Sequence, residues 1–358
     1  METLWIRAAS KTYPIYLGEN LLNQLQDMAL KTYSSYFIIT DDAVAPLYLD
    51  QVTEAFSSYG PVHHAVVPSG EPSKSFAVYS KLLDQLLELN LDRKACILAL
   101  GGGVVGDLAG FVAATYLRGV SWIQLPTTLL AHDSSVGGKV GINHAKGKNL
   151  IGAFYHPDAV IYNTTFLESL PPREWRSGFS ELIKHSLLES SAFFEELRAA
   201  IPDKSHLSVS AVTPFIGRGI RVKAAVVDAD ELEQGQRAFL NLGHTLGHAL
   251  EKVSGYGVLT HGEGVAIGLL FALQLSEAWY GNQLPTETLR EWLNALDLPV
   301  RVPADLEVPV IFEAMKRDKK RLGNQVRFVL LEEIGKPALV EIPEADILEQ
   351  LSKFMKSS

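Results

Sequence analysis

Residues 3–16 alternate apolar and polar side chains, which predicts an opening pair of strands. Residues 18–30 carry apolar positions at helical spacing. The run 36–40, Tyr-Phe-Ile-Ile-Thr, predicts a strand buried on both faces and ending at Asp41 and Asp42. A helical stretch leads to a further strand at 64–68 and a polar loop at 69–75, and residues 76–89 again show helical spacing. Two more apolar runs of strand length, 96–100 and 120–125, are separated by glycines and a helical segment. This alternation predicts an α/β domain with a mostly parallel sheet and helices on both faces.

From about Pro171 the pattern changes. Helical spacing dominates at 172–197, 214–228, 245–253, 261–280, 286–296 and 311–319, broken by one strand-like run at 326–331. The sequence therefore divides near residue 175, into an α/β domain over 1–175 and a mainly α-helical domain over 176–358. No internal repeat or low-complexity segment is visible.

Composition narrows the picture. A chain of 358 residues exceeds one small core. With 47% hydrophobic and 20% charged residues it reads as soluble and globular. A net charge of −9 leaves no basic surplus for general binding to nucleic acid, though a local basic pocket for a small anion remains open. The single cysteine, Cys96, excludes a disulfide framework within the chain and lies in an apolar run, as a buried inert thiol would. The N-terminus lacks the basic and apolar regions of a signal peptide. The longest weakly charged stretch, 95–117, contains three consecutive glycines and Asp107, so it reads as strand, turn and helix rather than a membrane span. The expected location is the cytoplasm.

Three constellations carry candidate chemistry. Gly101, Gly103 and Gly106 satisfy G-x-G-x-x-G between a strand and a helix, a turn that lets backbone approach a pyrophosphate at a helix N-terminus. The acid that usually follows about 20 residues later is missing. The candidate ribose or adenine partner is instead upstream, at Asp41 or Asp42. Next, His244 and His248 stand four apart on one helical face, His261 opens a second helix, and Glu181 precedes Lys184 by three on a third. A carboxylate with two imidazoles leaves positions open for water or substrate, as catalytic zinc requires. An isolated histidine in a helix would read as a satisfied core residue, and spacing alone does not decide which two histidines bind. Finally, Asp133 to Lys139 and Gly147-Lys148-Asn149 gather two lysines, an asparagine and several glycines, a plausible cradle for phosphate or carboxylate that Arg118 could join. Lys223 and Arg237 flank a polar segment before Asn241, and residues 316–321 form a charge run that alone would read as a solvated face.

The motifs Gly101-Gly-Gly-Val-Val-Gly-Asp107, Pro126-Thr-Thr-Leu-Leu130, Asp133-Ser-Ser-Val-Gly-Gly-Lys139, Gly147-Lys-Asn149, Glu181-Leu-Ile-Lys184, Asn241-Leu-Gly-His-Thr-Leu-Gly-His248 and His261-Gly-Glu263 resemble, in order and over most of the chain, the motif series of the 3-dehydroquinate synthase family. The resemblance implies a Rossmann-like NAD site in the first domain. It implies one divalent metal, Zn2+ or Co2+, on Glu181, His244 and His261, with His248 as a proton-transfer residue rather than a ligand. NAD would lie against Asp41; Gly70, Glu71, Lys74 and Ser75; Gly103, Val104, Val105, Gly106 and Asp107; Thr127 and Thr128; Lys139 and Lys148; and Phe166, Leu167, Glu168 and Ser169. Substrate contacts and catalytic groups would be Arg118, Asp133, Lys139, Asn149, Lys184, Lys223, Arg237, Asn241, His248 and Lys319 or its neighbour Lys320.

The implied reaction turns 3-deoxy-D-arabino-heptulosonate 7-phosphate, a phosphorylated sugar acid, into 3-dehydroquinate and phosphate. It is the second step of the shikimate pathway to chorismate and the aromatic amino acids. The family runs it by transient oxidation with NAD, phosphate elimination, re-reduction, ring opening and intramolecular aldol closure. A homodimer, with no nucleic-acid or membrane partner, is implied as well. The segment Leu130-Ala-His132-Asp133 is one residue shorter than the usual family run, and His185 replaces a frequent tyrosine. The competing readings are another sugar phosphate cyclase, a glycerol dehydrogenase-like polyol dehydrogenase, and a binding protein without catalysis.

Overall fold

A computed structural model describes residues 1–233, 235–255, 257–318 and 325–357. Contacts divide the chain into two units, residues 1–170 with 223–232 and residues 171–222 with 233–358.

The first unit contains β1 (Glu2–Arg7), β2 (Thr12–Gly18), β3 (Tyr36–Asp41), α1 (Ala45–Ser57), β4 (Val62–Val67), α2 (Phe76–Glu88), β5 (Cys96–Gly101), α3 (Gly103–Thr115), β6 (Ser121–Pro126), the single turn α4 (Ala131–Ser134), β7 (Lys139–His144), β8 (Gly147–Phe154) and β9 (Ala159–Asn163). Seven strands form one sheet in the order β1-β2-β9-β6-β5-β3-β4. Only the β1–β2 pair is antiparallel. The expected mostly parallel sheet is therefore present. Period-two alternation sorts its strands onto two cores. Phe37, Ile39, Ile97, Ala99 and Trp122 pack with Leu82 and Leu86 of α2 and with Val105, Leu108 and Val112 of α3. Ile38, Leu98, Leu100, Ile123 and Leu125 pack with Val52 and Phe56 of α1 and with Leu21, Leu22 and Leu25. Cys96 is fully buried in this second core, and burial pushes its thiol well above the ordinary value, as an inert thiol requires.

The chain leaves β3 outward to β4 and then returns to β5 on the other side of β3. The order of strands reverses between β3 and β5, and ligands in such sheets bind beyond the carboxyl ends of strands at a reversal. Thr40 pairs with Leu100, so Asp41 and the glycine loop emerge side by side there.

The second unit contains α5 (Pro172–Glu189), α6 (Ser191–Ala200), most of α7 (Val209–Ala229), α8 (His244–Ser254), α9 (His261–Tyr280), α10 (Thr286–Ala295), α11 (Val308–Asp318), the hairpin β10 (Gln325–Glu333) and β11 (Lys336–Pro343), and α12 (Glu344–Ser357). Among the described residues no helix is long and apolar enough to cross a membrane.

Several elements differ from the sequence expectation. Residues 18–30 form a short 3-10 turn, Leu21–Asp27, rather than an α-helix. The helix expected over 172–197 breaks at Ser190, whose backbone is extended and whose Oγ caps α6 by accepting from Phe193 N. The helix expected from Pro214 begins a turn earlier and carries that proline inside it. The β7–β8 hairpin, β9, β11 and α12 had no expected counterpart.

Candidate functional site

The cluster in the second unit is built by close helix packing. A Cβ on Gly262, in the first turn of α9, would stand 2.0 Å from the Ser177 carbonyl of α5. The absence of that Cβ lets the Gly262 amide donate to Ser177 Oγ at 3.0 Å. Between α8 and α9, a Cβ on Gly247 or Gly264 would stand 3.0 Å from the backbone of the other glycine. The three helices approach at backbone distance, and each carries one member of the cluster. Thr260 and Glu263 close a capping box that fixes where α9 starts, and Arg173 grips the Glu263 carboxylate at 2.8 and 2.6 Å.

Glu181 is 1% exposed, with Oε1 2.9 Å from His261 Nε2 and 3.4 Å from His244 Nε2. Ligands about 2.0–2.1 Å from a tetrahedral zinc sit roughly 3.3 Å from one another, so these separations fit one cation. Each imidazole directs its other nitrogen elsewhere. His244 Nδ1 donates to the Leu242 carbonyl at 3.0 Å, and His261 Nδ1 to the Glu251 carboxylate at 2.9 Å. Both Nε2 atoms therefore face the same carboxylate oxygen. Lys184 Nζ sits 2.5 Å from Glu181 Oε2, so the two carboxylate oxygens face opposite partners.

The charges follow from these neighbours. Burial would raise the Glu181 carboxyl, but Lys184 and the two imidazoles hold it well below the usual range. Burial, with Lys184 and His248 nearby, pushes His244 down to about 4 against the pull of Glu181. For His261 burial is overridden by hydrogen bonds to Glu181 and Glu251, which lift it to about 10. His248 is half-buried, its ring 5.1 Å from His244 and 5.7 Å from His261. His248, Glu251 and His261 make a second group of three donors, less buried than the first. Arg237 is 2% exposed and stands four residues before the half-buried Asn241 on one 3-10 turn. Lys319 and Lys320 lie outside the described residues.

The first unit collects the nucleotide-type residues. The glycine loop enters α3 with no side-chain cap, which leaves its first amides for an anion. A Cβ on Gly101 would fall 2.6 Å from Val105 Cγ2, so glycine is needed for the tight passage from β5 to α3. The hydroxyls of Thr127 and Thr128 are buried with no hydrogen-bond partner among the described residues, and Thr127 N donates to Gly101 O at 3.1 Å. Two orphaned hydroxyls beside an uncapped glycine loop suit a polar ligand. Asp41 Oδ1 accepts from Ala43 N and Val44 N at 3.0 and 2.9 Å. Phe166, Leu167 and Val105 are buried in the core, while Glu168 and Ser169 are exposed.

Lys74, 2% exposed, bridges Asp107 Oδ2 at 2.6 Å and Asn149 Oδ1. Glu71 accepts from Asn143 Nδ2 at 2.6 Å. Gly70 (φ 87°) turns the chain into this loop, and Ser75 caps α2. Lys139, Lys148 and Asn149 ride on the β7–β8 hairpin, and Asn149 is left-handed at φ 53°. Lys223 Nζ reaches both the Asp133 carboxylate and the Asp133 carbonyl at 2.7 Å. Arg118 is exposed, in a left-handed run with Leu117 and Gly119 at φ 48°, 68° and 119° for 117–119.

The structure thus brings Glu181, His244, His261, His248 and Lys184 together in one unit. In the other it joins Lys74 to Asp107 and Asn149, and Asp133 to Lys223. Sequence reasoning missed Glu251, Asn143 and Ser177. Glu251 had a readable signal, because it lies seven residues after His244 and three after His248 on the same helical face.

Residues 64–177 match the family model for the 3-dehydroquinate synthase N-terminal domain, and residues 178–321 that for the C-terminal domain. A 3-dehydroquinate synthase from Geobacillus thermodenitrificans (strain NG80-2) is 51% identical, covering 98% of this chain and 97% of that protein. Among solved structures, 2-deoxy-scyllo-inosose synthase complexed with carbaglucose-6-phosphate, NAD+ and Co2+ superposes with a TM-score of 0.89 at 28% identity, covering 98% of this chain and 99% of the other. A 2-epi-5-epi-valiolone synthase from Streptomyces hygroscopicus subsp. jinggangensis 5008, with NAD+ and Zn2+ bound, shares the fold at a TM-score of 0.84 and 22% identity, each chain 97% covered. With half its residues shared over nearly its whole length, the chain belongs to the 3-dehydroquinate synthase family.

Proposed function

We propose that the chain converts 3-deoxy-D-arabino-heptulosonate 7-phosphate into 3-dehydroquinate and phosphate, with no net change in NAD. The carrying observation is the convergence of one carboxylate oxygen and two imidazole nitrogens at Glu181, His244 and His261, in a chain half identical to a synthase of that name. This donor set suits a divalent cation, Zn2+ or Co2+, and the glycine loop with Thr127, Thr128 and Asp41 suits NAD. When bound, the cation supplies Lewis acidity and NAD a reversible hydride acceptor.

The remaining work falls to side chains. Glu181 would offer Oε1 to the cation while Lys184 holds Oε2, which keeps the carboxylate ionised and oriented. His248, beside both ligand imidazoles, takes and returns a proton during oxidation and ring opening. Lys139, Lys148, Asn149 and Arg118 hold the phosphate and the sugar acid. Lys223, fixed by Asp133, and Arg237 with Asn241 supply further polar contacts to the hydroxyls and the carboxylate. Lys319 or Lys320 completes the set. The chain acts in the cytoplasm as a homodimer, with no nucleic-acid or membrane partner.

Phosphate release from 3-deoxy-D-arabino-heptulosonate 7-phosphate by metal-loaded protein with catalytic NAD tests this directly, with NADH absorbance followed in parallel. Release without lasting NADH, abolished by chelator, is the expected result. Lasting NADH on simple polyols without phosphate release would replace the reading with a polyol dehydrogenase. Turnover only of other sugar phosphates would replace it with another cyclase.

A further inference from the structure

We infer that Glu251 is the positioning residue of the metal centre, fixing the tautomer and ring orientation of His261 and thereby setting how tightly the cation is held. The inference rests on the metal role proposed for Glu181, His244 and His261. Positions 244, 248 and 251 share one face of α8, which points all three side chains toward the start of α9. The side chain of Glu251 crosses that start at Gly264, where a Cβ would lie 3.4 Å from Glu251 Cγ. It ends 2.9 Å from His261 Nδ1 and is 12% exposed, so water competes little for the contact.

An ionised carboxylate only accepts, so the proton on Nδ1 is the one His261 would keep when a cation takes the place of the proton on Nε2. That leaves Nε2, 2.9 Å from Glu181 Oε1, as the nitrogen that can give its lone pair to a cation. A carboxylate behind a ligand imidazole fixes the ring and makes it a better donor, and removing such a partner typically weakens metal binding about 10–100-fold. The two ligand imidazoles differ in this respect. His244 is oriented by a backbone carbonyl, Leu242 O, which no substitution at that position removes. His261 depends on a side chain. Of the two ligand imidazoles, His261 is therefore the one whose orienting partner a point change can delete. The alternative role for Glu251 is direct ligation with His248 and His261, and this predicts a different response to glutamine.

The experiment measures Zn2+ affinity by competition with a chromophoric chelator, and the visible spectrum of the Co2+ form, for wild type, Glu251→Ala, Glu251→Gln and Glu181→Ala. Glu251→Ala is expected to bind Zn2+ about 10–100-fold more weakly, with an altered Co2+ spectrum, while the metal-free protein still unfolds cooperatively. Glu251→Gln keeps an acceptor for Nδ1–H and is expected to recover most of the affinity. Should the alanine variant not fold, Glu251→Met, similar in volume but without an acceptor, takes its place. Wild-type affinity in the alanine or methionine variant overturns the inference. So does a glutamine variant as weak as alanine, which would mark Glu251 as a ligand. Zn2+ binding untouched by Glu181→Ala would instead overturn the metal reading itself, and the inference with it.

Discussion

Glu181, His244 and His261 are held by three helices that meet through glycine, whereas Lys74, Asn143 and Asn149 are held by hydrogen bonds between a loop and a two-stranded hairpin. In the first region backbone contact at Gly262, Gly247 and Gly264 sets the ligand positions before any side chain pairs. In the second the side chains themselves make the framework. Close-packed helices move little, because interiors have the density of organic crystals. A hairpin tied by a few polar contacts adjusts more readily, since each contact contributes only about 1 kcal/mol net. Metal coordination tolerates little displacement, while a phosphate or nucleotide can be gripped by adaptable groups. The two constructions match those demands.

Removing a ligand should break the first region most severely. His261→Ala is expected to lower phosphate release by about 10³-fold or more, because Lewis-acid stabilisation is worth several kcal/mol and each 1.36 kcal/mol is tenfold in rate. Metal content measured on the folded variant, beside the rate, checks this. A variant retaining both would refute the ligand assignment.

The glycine contacts offer a sharper test, because a well-placed control exists. Gly262→Ala puts a methyl against Ser177 O, and overpacking of that kind costs about 1–3 kcal/mol or more. It should also displace His261 and weaken metal uptake. Gly255→Ala, just past α8, meets nothing within 4 Å and pays only for a backbone at φ 87° and ψ 146° that is close to glycine-only, about 1–3 kcal/mol. Thermal unfolding and metal titration of both should separate crowding from strain. Equal effects on metal binding would show that the α5–α9 approach does not set the site.

The first unit should instead be vulnerable to acid. Asp158 gathers Lys11, Lys31 at 3.0 Å, and the hydroxyls of Tyr33 and Ser121 at 2.9 Å each, with its side chain 5% exposed. Burial alone would raise its carboxyl, but these partners bring it from 3.8 down to about 2. A folded value below the unfolded one gives stability that is complete above about pH 5 and lost as the pH falls through 4 toward 2. The share at stake is about 2 kcal/mol. Asp158→Asn should remove about that much at neutral pH and flatten the stability curve over that acid range. Denaturant unfolding at several pH values checks it, and parallel curves for variant and wild type would overturn it.

The strands and helices of the first unit were readable because each buries a regular face. Tyr36 to Thr40 and Cys96 to Leu100 are sealed on both sides and appear as continuous apolar runs. The β7–β8 hairpin was not readable. Gly141, Gly147 and Gly152 interrupt its alternation, and the Gly141–Gly152 pair is needed because a Cβ on either would meet the partner strand's backbone at 2.5 or 2.3 Å. Its lysines and asparagine were visible as chemistry but not as a strand. The break at Ser190 was hidden because apolar spacing continues across it. The histidine spacing showed a site but could not choose between His244 and His248, since both occupy one helical face. What singles out His244 is that its Nε2 faces Glu181, a matter of packing between segments some 60 residues apart. Glu251 was missed although its spacing from His244 and His248 was readable, since one glutamate in the last turns of a helix ordinarily reads as solvated.

The smallest effect expected is at Asn143, and its direction tests the polar framework most cleanly. Its Nδ2 donates to Glu71 at 2.6 Å, its Oδ1 accepts from Asn149 N at 2.9 Å, and its backbone N donates to Lys74 O at 2.7 Å. One residue therefore ties the loop at 70–75 to the turn that holds Asn149 in its left-handed conformation. Asn143→Ala keeps the backbone bond and deletes the other two, so stability should fall by about 1–2 kcal/mol and KM should rise several-fold with kcat changed less. Asn143→Asp keeps the acceptor for Asn149 N but sets a second carboxylate against Glu71, so at neutral pH it should be worse than alanine. Lowering the pH toward the carboxylate range should narrow that gap, because protonating either acid restores a donor between them. Steady-state kinetics with NAD and substrate varied separately would read both variants. An aspartate variant better than alanine at neutral pH would mean that the Asn149 contact alone positions the hairpin. The loop and hairpin would then be independent parts rather than one framework.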